Sequence, residues 1–342
     1  MSWQVLSGAA AVLVISAILT GMVRRFALAH GVMDIPNERS SHTTATPRGG
    51  GLSIVLACSG AFVVFAVLGI VQIHLLIALV GGGGLVAAIG FLDDRRPVPP
   101  AVRLAVHLIA AAWAVGWLGG LPAISVGDRL LLSGWTGYVL AVLAVVWTLN
   151  LFNFMDGIDG IAASEAVFVT GGAVLLSLDS ASGQVPAMAC VFAAACAGFL
   201  IWNWPPAKIF MGDVGSGYLG YVIAVLALAA GHTNPTAPWL WLILGGTFFV
   251  DATVTLIRRL MSGQRVHEAH RSHAYQWLAR RWGSHRPVTL SFLALNVFWL
   301  LPAAWLAKRY PQFALLFLAG AFAPLVLLAI GAQAGLREDP IN

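Results

Sequence analysis

The chain has 342 residues, of which 59% are hydrophobic and only 10% are charged, with a formal net charge of +5 at pH 7. A soluble domain carries roughly 25% charged residues, so this composition excludes an ordinary soluble protein. Most of the chain must lie in a lipid bilayer, and its function belongs among those of integral membrane proteins.

Apolar stretches long enough to cross a bilayer recur along the whole chain. A helix needs roughly 20 apolar residues to span a hydrocarbon core of about 30 Å. The spans lack the alternation of apolar and polar residues that is typical of a barrel strand. Backbone N–H and C=O groups find no water inside a bilayer and must bond to each other, so the spans must be helices. We predict one all-α domain over residues 1–342, a polytopic transmembrane bundle with about eleven spans. In chain order these cover residues 3–23, 50–70, 73–92, 101–120, 135–152, 161–178, 185–203, 214–231, 237–257, 288–308 and 312–334.

Basic residues are distributed unequally between the two sides of such a bundle. With the amino terminus outside, only Arg129, Lys308 and Arg309 fall on the outer side. The positive-inside rule therefore favours this orientation. The basic residues on the inner side are Arg24, Arg25, Arg39, Arg48, Arg95, Arg96, Arg103, Lys208, Arg258, Arg259, Arg265, Arg271, Arg280, Arg281, Arg286 and Arg337.

The third span ends in two adjacent carboxylates, Asp93 and Asp94, followed by two arginines. This places a compact group of charges at the inner membrane surface. The alternative is a solvated helix end, since acidic residues that flank a span cost little.

The fifth span continues into a string in which Asn150, Asn153, Asp156 and Asp159 follow one another at every third position. A step of three drifts around a regular helix, and the two glycines within residues 150–160 favour a break. We therefore predict a polar turn at the membrane surface that binds a nucleotide or a hard cation. The alternative is an Asp-Gly turn that only connects two spans.

The seventh span ends at Asn203, and Asp213 lies in a glycine-rich segment at the predicted start of the eighth span. A helix amino terminus carries free N–H groups and partial positive charge, which suits phosphate as well as a capping carboxylate. Asp213 is therefore either a ligand-binding residue or only a helix cap.

The last inner loop contains His267, His270 and His273 at intervals of three, together with Arg271. Histidine and arginine suit an anionic group such as phosphate. Zinc binding is a rival interpretation, although helical zinc pairs step by four with a carboxylate between them. A basic loop that contacts anionic lipid head groups is another.

In this order the motifs resemble those of the polyprenyl-phosphate N-acetylhexosamine-1-phosphate transferases, glycosyltransferase family 4. That group also contains the phospho-N-acetylmuramoyl-pentapeptide translocases of peptidoglycan synthesis. The resemblance covers nearly the whole chain and includes Thr46-Pro47-Arg48-Gly49-Gly50-Gly51 before the second span. It implies an enzyme that moves an amino-sugar 1-phosphate from a UDP-linked donor to undecaprenyl phosphate and releases UMP. It also implies Mg²⁺, with Mn²⁺ as the alternative ion.

The resemblance implies roles for individual residues. Asp213 matches the metal-binding aspartate, and Asp93 and Asp94 match a catalytic pair that positions or deprotonates the lipid phosphate. His270 and His273 correspond to catalytic histidines near the phosphates. The implied substrate-binding residues are Arg48, Asn150, Asn153, Asp156, Asp159, Asn203, His267 and Arg271.

Two departures distinguish this chain from the peptidoglycan branch. Ala45 stands where that branch has lysine, and the histidines are more widely spaced. We therefore expect a donor of the N-acetylglucosamine, N-acetylquinovosamine or N-acetylfucosamine type, used to initiate O-antigen or a related surface polysaccharide. A pentapeptide donor is the alternative. A secondary transporter is a further alternative, but its polar groups belong at the membrane midplane within repeated halves.

The same resemblance predicts the cellular setting. We expect the bacterial inner (plasma) membrane, with the active site facing the cytoplasm and the lipid bilayer as the surrounding partner. No nucleic-acid partner is expected. The sequence leaves the oligomeric state open, with a homodimer among the alternatives.

Overall fold

The computed structural model describes residues 1–36, 44–127, 129–131, 134–179, 183–264 and 270–336. Over these residues the protein is an all-α bundle, as the sequence predicts, with two short antiparallel strand pairs. The strands β1 to β4 are Met33–Asp34 paired with Thr46–Pro47, and Ile124–Val126 paired with Arg129–Leu131. The helices are α1 (Trp3–His30), α2 (Gly51–Val67), α3 (Ile73–Ile77), α4 (Gly83–Asp93), α5 (Pro100–Leu118), α6 (Gly134–Met155), α7 (Ile161–Leu176), α8 (Gln184–Asn203), α9 (Asp213–Thr233), α10 (Ala237–Leu244), α11 (Gly246–Met261), α12 (Ala274–Trp282), α13 (His285–Leu295), α14 (Leu301–Arg309) and α15 (Ala314–Gly331).

When helices are required to be both long and apolar, the number of candidate membrane crossings is smaller than the sequence predicts. Within the described residues, 8 helices are long and apolar enough to cross a membrane, or 9 if the bent pair α10 and α11 counts as one span. The other two predicted spans correspond to α2 and α7, which are apolar but have only 17 and 16 residues. Every predicted span thus matches an apolar helix, but the count of eleven is not confirmed.

Helix α9 occupies the centre of the bundle. Of its most apolar window, 94% is buried within the protein, whereas the corresponding value for α5 is 22%. It packs against α2, α4, α6 and α8, and Tyr218 and Tyr221 on it are fully buried. The amino terminus of this central helix lies where several other helices end, and it therefore positions Asp213 among them.

The helix that runs from α3 into α4 contains a π-helical turn at Ala78–Gly82. The hydroxyl of Tyr221 on α9 donates to the Ala78 carbonyl at 2.7 Å, so a second helix satisfies the backbone at this turn. A side chain at Gly82 would lie 1.9 Å from the same hydroxyl. Glycine at this position therefore lets α4 approach α9 closely.

The predicted span over residues 237–257 is wrong as a single straight helix. The structure breaks it at Gly245, and α10 and α11 form an angle of 74°. Two consecutive glycines weaken the helix here. Beside the break, Thr247 Oγ1 lies 2.9 Å from Asn296 Oδ1 and 3.2 Å from Glu165 Oε1, and Asn296 Nδ2 donates to Glu165 Oε2 at 2.5 Å. This buried polar network joins α7, α11 and the α13 segment at the bend.

Candidate active site

Two segments distant in sequence are joined by backbone hydrogen bonds at one end of the bundle. The Phe210 amide donates to the Pro47 carbonyl at 2.8 Å, and the Gly50 amide donates to the Phe210 carbonyl at 2.9 Å. A side chain at Gly51 would lie 2.3 Å from the Cα of Gly215, so the start of α2 sits directly against α9. These contacts bring Arg48 to the amino terminus of α9.

Asp94 anchors the first turn of α9. Its Oδ1 accepts from the Asp213 amide at 2.8 Å, its Oδ2 accepts from the Val214 amide at 3.1 Å, and Arg48 Nη2 lies 2.8 Å from Oδ1. Only 5% of the side chain is exposed. Burial raises the pKa of Asp94, while the positive charge of Arg48 and the two amide donors oppose this rise.

The position of the Asp94 carboxylate also explains why glycine, at Gly212, precedes α9. Gly212 has φ +76°, a conformation that favours glycine, and a side chain there would lie 2.5 Å from Asp94 Oδ2. Similarly, a side chain at Gly90 would lie 2.3 Å from the Asp213 carbonyl oxygen. Small residues on both elements thus permit Asp94 to cap α9.

Asp93 has a different set of partners from Asp94. Its Oδ1 accepts from the Val98 amide at 2.6 Å, and its Oδ2 lies 2.5 Å from Arg103 Nη1. Arg103 Nη1 is also 3.5 Å from Asp213 Oδ2, so this arginine bridges the two carboxylates. Asp93 therefore orders the connection between α4 and α5 beside the site.

Asp213 lies at the centre of these contacts. Its Oδ1 accepts from Asn153 Nδ2 at 3.1 Å and lies 3.4 Å from Arg48 Nη2. Asn153 Nδ2 also donates to Ser216 Oγ at 2.9 Å, which fixes its amide beside Asp213. With 24% of its side chain exposed, Asp213 is the more accessible member of the Asp94–Asp213 pair.

Two cavities meet beside Asp213. The first, of about 200 Å³, is polar and is lined by residues that include Arg48, Asp159 and His285. The second, of about 830 Å³, has mainly apolar walls that include Leu104, Leu143 and Trp147, with Arg103 and His270 among its polar residues. The residues that line both cavities are Asn153, Asp156, Gly157, Asp213 and Gln276.

Asp156 belongs to this shared wall. Burial raises the pKa of its carboxyl well above the ordinary value, and the negative charge of Asp213 adds to the rise while Arg48 opposes it. Within the described part of the chain, no residue donates a hydrogen bond to the Asp156 side chain. A half-buried carboxylate without protein donors is suited to a ligand that supplies positive charge.

The remaining residues of the predicted turn bind mainly to the protein. Asn150 Nδ2 donates to the Val146 carbonyl of its own helix at 2.7 Å. Asp159 accepts from the Ala207 amide at 3.0 Å and lies 3.1 Å from His285 Nδ1. Asn203 Oδ1 accepts from the Gly160 amide at 3.0 Å, and its Nδ2 donates to the Ile209 carbonyl at 3.0 Å. Asp159 and Asn203 thus hold residues 156–160 against residues 203–209, on the wall of the polar cavity.

His270 and His273 of the last inner loop stack on each other with ring centroids 4.9 Å apart, and both line the larger cavity. His273 is 2% exposed, and its Nδ1 lies 3.4 Å from Asp251 Oδ1. Burial and, secondarily, the charges of His273 and Arg259 lower the pKa of His270 to about 3. His270 is therefore neutral near pH 7, so it offers a hydrogen bond and not a positive charge. His267 lies outside the described residues.

Arg271 is the substrate-binding candidate least supported by position. Its carbonyl accepts from Arg280 Nη1 at 2.9 Å. Over the described residues, neither cavity includes Arg271 in its walls. The structure therefore brings together Arg48, Asp94, Asn153 and Asp213, whereas Arg271 is not among the residues that line either cavity.

The residues at the cavity junction fit a magnesium ion that is shared with a substrate. Mg²⁺ prefers oxygen ligands, keeps several waters, and is usually held by one or two carboxylates with substrate phosphates. Asp213 and Asp156 provide two carboxylates on the shared wall. Among the described residues there is no group of three or more His, Cys, Asp or Glu that could hold a metal ion by itself. This donor set fits an open site better than a closed structural one.

Some residues that line the site were not predicted from the sequence to have a role there. Arg103 is predicted only as a basic residue on the inner side, yet it contacts Asp93 and Asp213. His285 and Gln276 line the cavities, and nothing in their local sequence signals this. Ser216 was recognisable only as part of the glycine-rich segment after Asp213. Apart from the contact between Arg103 and Asp93, which are ten positions apart, these residues meet the site through partners that are distant along the chain.

Comparison with known proteins identifies similar sequences. Residues 75–231 match the model of the family described as glycosyl transferase family 4. A relative in Bacillus subtilis (strain 168), named a probable undecaprenyl-phosphate N-acetylglucosaminyl 1-phosphate transferase, is 33% identical over 276 residues. The match covers 79% of this chain and 75% of the relative.

Two further relatives represent two different named activities. A decaprenyl-phosphate N-acetylglucosaminephosphotransferase of Mycobacterium tuberculosis (strain CDC 1551 / Oshkosh) is 31% identical over 312 residues, which cover 81% of this chain and 76% of the relative. A phospho-N-acetylmuramoyl-pentapeptide-transferase of Moorella thermoacetica is 33% identical over 239 residues, which cover 64% of this chain and 72% of the relative.

Proposed function

Because this chain belongs to glycosyl transferase family 4 and is a polyprenyl-phosphate sugar-1-phosphate transferase, we propose that its two cavities bind the two substrates of one transfer reaction. The polar cavity binds a UDP-N-acetylhexosamine. The larger cavity binds undecaprenyl phosphate, and the reaction releases UMP. Mg²⁺ is the required ion, with Asp213 and Asp156 as the residues that hold it.

The observation that carries this proposal is the contrast between two cavities that share one wall. Leu104, Leu143 and Trp147 suit a prenyl chain, whereas Arg103 at the polar part of the same cavity suits its phosphate. Arg48 lines the polar cavity and suits the pyrophosphate of a nucleotide sugar. The shared wall at Asp156 and Asp213 is therefore where the two phosphorus-containing groups meet.

The chemical step is a displacement at phosphorus. An oxygen of the lipid phosphate forms a bond to the sugar-bearing phosphorus of the donor. The bond from that phosphorus to the bridging oxygen breaks, and its electron pair leaves with UMP. Bound Mg²⁺ would supply positive charge for the phosphate oxygens and the leaving UMP. Arg48 and Arg103 add donors beside Asp213, at a site with more carboxylates than guanidinium groups.

Asp93 and Asp94 serve this reaction by positioning other groups. A phosphate monoester is largely ionised near pH 7, because its second pKa is about 6, so the lipid phosphate does not need a strong base. Both oxygens of Asp94 accept from amides at the start of α9, and both oxygens of Asp93 have protein partners. Orientation of the nucleophile and of Asp213 is the contribution that these contacts support.

We place the reaction at the cytoplasmic face of the bacterial plasma membrane, with the amino terminus outside, at the start of O-antigen or related surface polysaccharide synthesis. The site is built from the ends of α4, α6 and α8 and from the starts of α2, α5, α7 and α9. These helix ends are all ones that the basic residues assign to the inner side.

The donor is tested by measuring UMP release from purified protein with undecaprenyl phosphate and Mg²⁺. We expect UDP-N-acetylglucosamine or a 6-deoxy relative to exceed UDP-N-acetylmuramoyl-pentapeptide by about a thousandfold in kcat/KM, because unpaired buried polar groups discriminate strongly. Chelation of divalent ions should stop the reaction, and Mg²⁺ should restore it. Faster turnover of the pentapeptide donor would assign the chain to the peptidoglycan branch, which the Moorella thermoacetica relative represents.

A further inference from the structure

Gln276 lies in the first turn of α12 and lines both cavities, on the wall that they share with Asp156 and Asp213. The residue is only 7% exposed. Gln276 is the third residue of α12, and His273 immediately precedes this helix. A glutamine at this position is typical of a capping box, in which its side-chain oxygen accepts from the backbone amide that precedes the helix. A capping box does not use the NH₂ group of the side chain.

The orientation of the Gln276 amide is decided by its partner. Its Oε1 lies 3.2 Å from the backbone nitrogen of His273. A backbone N–H can only donate, so the amide atom facing it must be the oxygen. The NH₂ group therefore occupies the other side. A side chain placed on Gly157 would lie 3.1 Å from Nε2, which locates this nitrogen beside the turn that carries Asp156.

The NH₂ group has no acceptor in the described part of the chain. This nitrogen is not among the fully buried, unpaired side-chain atoms of the described residues, so it faces the open space of the cavities. Because Gln276 lines both cavities, an acceptor in a bound molecule is the partner that its position provides. The capping contact explains Oε1 but leaves Nε2 unexplained.

The surroundings of Gln276 hold it in this position. Asp251, buried in α11, accepts from the Ala274 amide at 2.9 Å and from the Tyr275 amide at 3.0 Å. The Tyr275 hydroxyl in turn donates to the Phe154 carbonyl at 2.9 Å. The first turn of α12 is thus tied both to α11 and to the end of α6, so the amide is preorganised at the cavity junction.

We propose that Gln276 Nε2 donates a hydrogen bond to a nonbridging oxygen of the phosphoryl group while it passes from the donor to the lipid phosphate. This inference rests on the proposed function. The oxygens on that phosphorus carry negative charge throughout the displacement, and a preorganised donor directed at such charge stabilises it. No proton leaves Gln276, and the bonds that form and break are those between phosphorus and the lipid phosphate and UMP oxygens.

The substitution Gln276→Glu separates this role from capping. Glutamate has nearly the same shape and is equally suited to the capping box, so a capping role alone predicts little change. It replaces the NH₂ donor by a carboxylate oxygen that repels phosphate. Gln184→Glu is the matched control, because Gln184 pairs with Gln72 far from the site.

We expect Gln276→Glu to lower kcat for UMP release by about a hundredfold, the effect of removing one donor from a charge-stabilising site. Its melting temperature in detergent should equal that of the wild type, and its affinity for UDP in the presence of Mg²⁺, measured by calorimetry, should fall about tenfold. Gln184→Glu should change none of these values.

Gln276→Met provides a second variant of similar size that lacks the donor and adds no charge, and its kcat should also fall about a hundredfold. The inference is overturned if Gln276→Glu and Gln276→Met keep kcat and UDP affinity within about twofold of the wild type. A wild-type protein that releases no UMP with any donor would instead contradict the proposed function, and the UDP affinity of the two variants would still decide the role of Gln276.

Discussion

Asp94 and Asp213 lie at the same helix terminus and both contact Arg48, but their other partners differ. Asp94 is nearly buried and accepts from two backbone amides. The contacts of Asp213 come from side chains, namely Asn153 at 3.1 Å and two arginines at 3.4 and 3.5 Å. Asp94 therefore stabilises the start of α9, and the Asp213 carboxylate stays available to an ion and a substrate.

Two matched substitutions test this division. Asp213→Asn should lower kcat at least about a hundredfold, because a neutral amide holds a divalent ion poorly, and it should leave the melting temperature unchanged. Asp94→Asn should lower the free energy of unfolding by about 1–3 kcal/mol, because an amide provides one acceptor where the carboxylate has two.

Both variants are compared by UMP release at saturating Mg²⁺ and by thermal unfolding in detergent. Full Mg²⁺-dependent turnover by Asp213→Asn would remove this residue from the reaction. A wild-type melting temperature for Asp94→Asn would show that its contacts with α9 contribute little to stability.

At the scale of elements, the bend between α10 and α11 links the buried interior of the bundle to the site, because it sets the direction of α11. The 74° bend is accompanied by the buried contacts among Thr247, Glu165 and Asn296. Helix α11, which begins after the bend, carries Asp251, and Asp251 holds the first turn of α12. The direction of α11 thus determines where His273 and Gln276 lie relative to the cavities.

Thr247→Val tests the importance of the network at the bend. Valine has a similar shape but lacks the hydroxyl, so Glu165 and Asn296 lose a partner in a buried environment. We expect the free energy of unfolding to fall by about 1–3 kcal/mol and turnover to decrease with it. Ser291→Ala is the control, because among the described residues this exposed hydroxyl hydrogen-bonds only to the Pro287 carbonyl of its own helix. Equal melting temperatures of Thr247→Val and Ser291→Ala would contradict the role of the network.

At the scale of the whole molecule, the described site lies at one end of the bundle, where the basic residues also concentrate. Arg48 and Arg103 belong to both groups, since they contact Asp213 and flank predicted spans. A charged site at one membrane surface suits two substrates that arrive by different routes, one from water and one from the bilayer. The orientation of the amino terminus follows from the same charges and stays a prediction.

Cysteine labelling tests that orientation. In a variant with Cys58, Cys190 and Cys196 replaced by alanine, a cysteine introduced at Ser2 or Asn234 should react with an impermeant reagent in intact cells. A cysteine at Arg96 or Ser262 should react only after the membrane is permeabilised. All four positions are exposed in the structure. The reverse pattern would place the amino terminus and the site on the sides opposite to those predicted.

The sequence by itself determined the all-α membrane fold, the approximate positions of the apolar helices and the family. Hydropathy and motif order are properties of contiguous residues, and burial in lipid requires long apolar segments wherever they occur. For the same reason the sequence located Asp93, Asp94, Asp156 and Asp213 near the ends of helices. It could not distinguish a helix that faces lipid from α9, which is surrounded by protein.

The tertiary structure alone decided which of these groups meet and what each contacts. Asp94 lies 119 positions from Asp213 in sequence, and Tyr275 lies 121 positions from Phe154. The bend at Gly245 and the position of Gln276 depend on such contacts as well. Consecutive glycines permit the bend, but local sequence determines neither its direction nor the position of Gln276, because the free energy that favours each arrangement comes from partners on other helices.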